Sequence, residues 1–273
     1  MVRSLWTGAT GMIAQQLNVD NISNNLANVN TTGYKAEVME FKSLLYQTIQ
    51  TKTTTANGAN KPIGTEVGLG VRNNAITAIF TDGSLLETPG ESNFALNGRG
   101  FFGIRGADGE TFYTRNGNFV FAVGTEGLTL ETTDGLPVLN SEGEPIVLED
   151  DDMVASKISV GRNDGMLYYP DEKGVPQSLN IRIGLWQFNN PAGLYREGDS
   201  LYSETAASGE AMNEAENENL TKTKMIQGYL EGSNVQIADE MVNLIVAQRA
   251  YEVNSKVITT SDEMLQQANQ LKR

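Results

Sequence analysis

Residues 233–273 read SNVQIADEMVNLIVAQRAYEVNSKVITTSDEMLQQANQLKR, and no glycine or proline interrupts them. Ile237, Leu244, Tyr251, Ile258 and Leu265 recur at every seventh position, with Val257, Met264 and Leu271 on an adjacent line. A seven-residue apolar repeat holds one seam of a helix against a partner helix. The spacing therefore predicts a helix from about 235 to 272, roughly 55 Å long at ~1.5 Å per residue. Ser233 followed by Gln236 fits a capping box at its start. Glu252 and Lys256 stand in the favourable i,i+4 order. Lys272 and Arg273 suit the negative end of the helix dipole.

The other end carries the same period. Leu5, Met12, Val19 and Leu26 repeat at spacing seven, and Ile22 and Val29 lie on a neighbouring line. This predicts a helix from residue 1 to about 33, with Gly33 as its stop. Between Met1 and Tyr34 only Arg3 and Asp20 are charged, and the other polar positions are mostly Asn, Gln, Thr and Ser. A helix with one face in water normally carries charges on that face. An ordinary core helix shares part of this pattern, but the sustained seam favours contact on several faces. One heptad helix at each end predicts that the two pair as a coiled coil.

Between them the signals are those of strands. Asp82-Gly83, Asp108-Gly109, Asn116-Gly117, Asp134-Gly135 and Asp164-Gly165 are hairpin-type dipeptides, because these residues tolerate positive φ. Short β-prone runs lie among them at 111–114, 119–123, 158–160 and 179–188. The fold class is α+β: long N- and C-terminal α-helices pairing as a coiled coil, with an all-β, antiparallel central domain. The divisions expected are an N-terminal helix at 1–35, an extended polar connecting segment at 36–66, a β-rich domain at 67–205, an acidic linker at 206–232 and the C-terminal helix at 233–273. The run 204–219, ETAASGEAMNEAENEN, reads as solvated linker on composition.

Composition argues against most chemistry. Asp and Glu number 34 against 20 Lys and Arg, a formal charge of -14. Nucleic acid and anionic membrane call for the opposite sign. The chain has no cysteine and no histidine, so disulfides, thiolates and the commonest general base and transition-metal ligand are absent. No apolar run is long enough to span a membrane. The N-terminal stretch has no strong basic leader, so no cleaved signal is expected. Gly98, Gly100 and Gly103 spell G-x-G-x-x-G in GRGFFG, but a turn at Asp108-Gly109 follows instead of a helix. A dinucleotide site needs the helix. The better reading is a glycine-rich strand entry that lets Phe101 and Phe102 reach the core. The acidic run 149–152 lacks calcium-loop spacing. No catalytic, cofactor or metal residues are assigned; a nucleotide-binding enzyme built on GRGFFG is the remote alternative.

NNLANVNTTGYK at 24–35 resembles the signature of flagellar rod and hook proteins, carried here by Asn24, Asn25, Leu26, Asn28, Gly33 and Tyr34. QRAYEVNSKVITTSDEML at 248–265 resembles their C-terminal helix. RSLW at 3–6, LLYQTI at 44–49, VGLGVR at 67–72, NGRGFF at 97–102, YTRNGNF at 113–119 and QGYLEGSNV at 227–235 are similar, in order, to segments of the distal-rod branch. The proximal rod and the hook are the alternatives within the class. The resemblance implies a non-enzymatic subunit, exported unfolded by the flagellar type III apparatus without a cleaved signal. It implies self-assembly into a helical tube across the periplasm, a drive shaft carrying torque from motor to hook. Implied partners are further copies of the chain, proximal rod proteins, the hook, the P-ring and L-ring and the export apparatus. Residues 36–66 would then hold a rod-specific stretch, and the two heptad seams the assembly surfaces.

Overall fold

The computed structural model describes residues 2–50, 65–124, 127–148, 154–162, 164–171, 174–217 and 219–271. The chain forms two compact units. One comprises Met1–Ala27, Glu37–Thr77 and Gln236–Arg273, the other Asn28–Ala36 and Ala78–Val235. The threonine-rich run 51–64, the acidic run 149–152, Lys272 and Arg273 lie outside the described residues.

The first unit is built on two helices, α1 (Val2–Ala27) and α2 (Ile237–Gln270). It also holds strands β1 (Glu37–Ser43), β2 (Tyr46–Gln50), β3 (Thr65–Gly68) and β4 (Val71–Ala78). β1 pairs with β4, and β2 pairs antiparallel with β3, Tyr46 opposite Gly68. α1 ends at Ala27, short of the predicted Gly33. Asn25 supplies the reason. Its Oδ1 accepts from the Glu37 amide at 2.9 Å and its Nδ2 donates to the Glu37 carbonyl at 2.8 Å, so the chain must double back. The Thr31 hydroxyl bonds to Asn28 Oδ1 at 3.1 Å, a local alternative to helical bonding. The capping box at the start of α2 is also absent. Gln236 is the N-cap without a side-chain bond, and Ser233 Oγ accepts from the Val235 amide at 3.2 Å instead. Asp239 and Glu240 in the first turn still complement the helix dipole.

The second unit is built of strands, with short 3-10 turns at Ala155–Lys157 and Pro191–Gly193. In chain order its strands are β5 (Leu85–Glu87), β6 (Phe94–Asn97), β7 (Phe101–Arg105), β8 (Thr111–Thr114), β9 (Phe119–Val123), β10 (Leu128–Thr132), β11 (Val147–Leu148) and β12 (Ser159–Val160). There follow β13 (Met166–Pro170), β14 (Pro176–Arg182), β15 (Leu185–Gln187), β16 (Tyr195–Gly198), β17 (Leu201–Ser203), β18 (Met212–Asn213), β19 (Lys224–Gln227) and β20 (Tyr229–Glu231). The largest sheet runs β16-β17-β8-β7-β15-β18. β7 grows directly out of GRGFFG, as expected. Successive side chains of a strand face opposite ways, so Phe101 and Phe102 enter two different core clusters, both at 0% exposure. Gly103, the next residue of the strand, is required there, since a Cβ would lie 2.2 Å from the Trp186 ring. A strand occupies the position where a dinucleotide fold places its helix.

Asp108-Gly109 turns β7 into β8, Asp164-Gly165 turns β12 into β13, and Asp134-Gly135 turns the chain after β10, each glycine at positive φ. Asp82-Gly83 and Asn116-Gly117 are not hairpins. Their glycines have no room: a Cβ would meet the Gly232 carbonyl at 1.9 Å and the Phe94 carbonyl at 1.7 Å. The acidic stretch is not a solvated linker either. β18, β19 and β20 fall within 206–232, and Glu214 is buried. Its Oε1 accepts from Gln187 Nε2 at 2.7 Å and from the Thr223 hydroxyl at 2.6 Å, and its Oε2 accepts from the Thr223 amide at 2.9 Å. Neutral donors thus replace the water that a buried carboxylate gives up.

Candidate assembly interface

In the first unit α1 and α2 pack antiparallel. Ser4 Oγ meets Ser261 Oγ at 3.0 Å, and Asn25 Nδ2 donates to Glu240 Oε1 at 3.4 Å. Between them a Cβ on Gly8 would lie 3.0 Å from Ile258 Cγ1, and one on Gly11 would lie 2.8 Å from Asn254 Nδ2. Each helix therefore brings a seven-residue line of small or polar residues to the contact. On α1 it is Ser4, Gly11, Asn18 and Asn25; on α2 it is Glu240, Ala247, Asn254 and Ser261. Asn25, Ala247 and Ser261 are buried. Burial, and secondarily Asp239, push the Glu240 carboxyl above the usual carboxylate range against the opposing bond from Asn25.

The apolar seams read from the sequence sit beside this line. Leu5, Met12, Val19 and Leu26 are half-buried on α1, and Leu244, Ile258 and Leu265 are half-buried on α2. Ile237 and Tyr251 are exposed. Val257, Met264 and Leu271 form no part of the buried line: all three are exposed, while Glu240, Ala247, Asn254 and Ser261 take the inner positions. Trp6, Ile13 and Leu17 on α1, with Met241, Val242, Ile245, Val246 and Val253 on α2, add to the exposed apolar surface. So much uncovered aliphatic surface on one compact unit marks an interaction surface.

The motif at 24–35 divides between two tasks. Asn25 fixes the turn back toward Glu37, Asn24 is exposed, Leu26 half-buried, and Asn28 holds Thr31. The rest of the motif belongs to the second unit. Gly33 adopts φ +69, where its amide donates to the Glu231 carbonyl at 2.8 Å and a Cβ would lie 2.6 Å from the Asn116 amide nitrogen. Tyr34 is half-buried, its amide donating to the Thr31 carbonyl at 3.3 Å.

Lys35, absent from the residues singled out above, is the core of a buried ion cluster. Its ammonium donates to Glu231 Oε1 and, at 2.8 Å, to the Thr81 carbonyl. Arg115 lies 3.5 Å from Glu231 Oε2 and 3.6 Å from Asp82, stacked 5.0 Å from the Phe101 ring centre. Asn234 accepts from the Ala36 amide at 2.7 Å and donates to the Ile79 carbonyl at 2.8 Å. Burial pulls Lys35 below its ordinary range, with Glu231 opposing that shift. The last residue of TGYK, the arginine of YTRNGNF and the glutamate and asparagine of QGYLEGSNV thus meet at one place. Each lay within a motif quoted above, but only folding brings them together. Among the described residues no three His, Cys, Asp or Glu side chains gather as metal ligands would. No helix there is long and apolar enough to cross a membrane.

Three protein-family models match the chain. They are described as Flagella basal body rod protein over residues 5–35, Flagellar hook protein FlgE/F/G D1 domain over 95–169, and Flagellar basal body rod FlgEFG protein C-terminal over 226–271. The first covers α1 from Leu5 and the turn to Lys35, the second lies within the β unit and the third takes in all of α2, so the two helices and the β unit define an axial protein of the flagellar rod and hook class. Among full-length relatives, the flagellar basal-body rod protein FlgG of Borreliella burgdorferi is 42% identical, covering 100% of each chain. FlgG of Agrobacterium fabrum is 41% identical over 96% of this chain and 97% of its own, and FlgG of Bacillus subtilis is 39% identical over 100% of both. The chain belongs to the FlgG family of flagellar basal-body rod proteins.

Proposed function

We propose that this chain is the structural subunit of the distal rod, polymerising with itself into a helical tube that crosses the periplasm and carries torque from motor to hook. It catalyses no reaction. The observation that carries this reading is the exposed apolar surface on both terminal helices, which one copy alone leaves in water. Residues 1–27 and 236–273 form the axial core, in which α1 and α2 act as a coiled-coil pair. Leu5, Met12, Val19, Leu26, Ile237, Leu244, Tyr251, Ile258 and Leu265 supply apolar contacts within and between copies. Residues 36–66 hold the rod-specific stretch, and the β unit takes in 78–235, the acidic run 206–232 included. The neighbours are proximal rod proteins, the hook and the P- and L-rings, with delivery through the flagellar export apparatus. Basal bodies isolated from cells lacking the chain should end at a truncated rod without a hook, and electron cryo-microscopy of complete ones should place its side chains in the rod wall. A full-length rod in its absence would defeat the proposal.

A further inference from the structure

We infer that Arg3 and Trp6 of one copy enter a groove on the helix pair of a second copy, lined by Gln16, Val19, Gln248, Tyr251 and Glu252; this rests on the rod-subunit reading above. Trp6 is 68% exposed, more than any other aromatic side chain described. Arg3 precedes it by three residues and so shares its face of α1. The groove has a volume of about 370 Å³ and lies wholly within the first unit. Its Tyr251 offers an aromatic surface to the indole, and its Glu252 a carboxylate to the guanidinium. Glu252 Oε2 already accepts from Arg249 at 2.8 Å, but both side chains are well exposed, and such pairs exchange at little cost. Tryptophan and arginine are among the residue types enriched at interface hot spots.

Charge selects between two grooves. A second one, of about 430 Å³, is lined by Val253, Val257, Met264 and other residues of the same helix pair, and is the more apolar. It also carries Lys256, which repels Arg3. The contact joins different patches of identical molecules. Trp6 lies 10 to 13 residues before Gln16 and Val19 on α1, so a parallel neighbour is displaced by roughly 15–20 Å along the helices. A repeated displacement of this kind does not close on itself and generates an open filament.

Photocrosslinking with Trp6→benzoylphenylalanine in the full chain, during rod assembly, tests the contact while keeping aromatic bulk at position 6. The crosslinked partner peptide should contain Gln248–Glu252. A crosslink to Val257 or Met264, or no intermolecular product in assembled rods, would overturn the inference. In parallel, Arg3→Glu and Glu252→Arg should each reduce assembly about tenfold or more, and the two changes together should restore it. Failure of that restoration also counts against the contact. Where the unaltered chain builds rods and these results fail, the inference falls and the rod reading stands. Where the unaltered chain does not polymerise at all, both fall.

Discussion

Lys35 and Arg115, each with a side chain no more than 1% exposed, share the Glu231 carboxylate. Desolvating two cations is expensive, and one well-placed carboxylate offsets it only while it is present. Glu231→Gln should destabilise the β unit by ~3–5 kcal/mol, read as a lower urea midpoint. Lys35→Met combined with Glu231→Gln should cost less than Glu231→Gln alone, because the orphaned ammonium is gone. The pH dependence has a definite sign. A lysine whose folded pKa is lowered binds fewer protons folded than unfolded, so stability rises with pH between the two values. Glu231→Gln removes the attraction that opposes the lowering of Lys35. The variant should therefore recover stability on raising the pH from 7 toward 10 more than the unaltered chain does. Equal slopes would show that Lys35 stays charged without its partner. None of this was legible along the sequence, where Lys35, Arg115 and Glu231 look like surface charges. Their burial depends on three segments far apart in sequence converging on one point. Phe101 and Phe102 were legible, because two aromatics after close glycines have few places to go but a core.

The two helices show that hydropathy locates the elements without naming the residues that mesh between them. Heptad spacing located α1 and α2 and the half-buried Leu244, Ile258 and Leu265. It put Val257, Met264 and Leu271 on an adjacent line, and these are exposed, but gave no sign that Ala247, Asn254 and Ser261 face α1. The physical reason is close approach. Gly8 receives Ile258 and Gly11 receives Asn254, so the helices mesh at glycine, small and polar positions, while Val257, Met264 and Leu271 are left exposed. Gly11→Ala should be nearly neutral, since Asn254 can give by a rotamer and alanine favours helix by ~1 kcal/mol over glycine. Gly11→Leu should pry the helices apart and accelerate proteolysis within α1 and α2 but not in the β unit. Unchanged cleavage would place the close contact elsewhere. Glu240 adds a titratable element to the same seam. Its folded pKa is raised, so it contributes stability that is full below the unfolded carboxylate pKa and is lost as pH rises through the folded value. Glu240→Gln should raise the melting temperature at pH 7, and that advantage should shrink as the pH is lowered toward 4. An advantage independent of pH would assign the effect to something other than the carboxylate.

A subunit that must be both a stable monomer fold and a polymer building block has to divide its apolar residues between the two. Here the β unit holds the aromatic clusters around Phe101 and Phe102, while the terminal helices keep Val242, Ile245 and Val246 uncovered. A net charge of -14 keeps free copies apart at long range, which short-range burial must overcome on assembly. Substitutions on α2 should therefore separate by position. Val242 and Val246 are 59% and 62% exposed, and Leu244 between them is half-buried. Val242→Asp with Val246→Asp puts two carboxylates on the outer face, where they are solvated in the monomer and stranded in the polymer. Its monomer should melt within a few degrees of the unaltered chain, yet basal bodies should carry truncated rods and the cells should not swim. Leu244→Asp should do both kinds of damage, because it half-buries an unpaired carboxylate on α2 before any neighbour arrives, at ~1–3 kcal/mol. Circular dichroism melts on the purified variants, with swimming and basal-body images for the same strains, distinguish the two outcomes. If the outer pair destabilises the monomer as much as Leu244→Asp does, those valines belong to the fold and not to the interface. If the outer pair swims normally, the face they occupy is open to water in the finished rod.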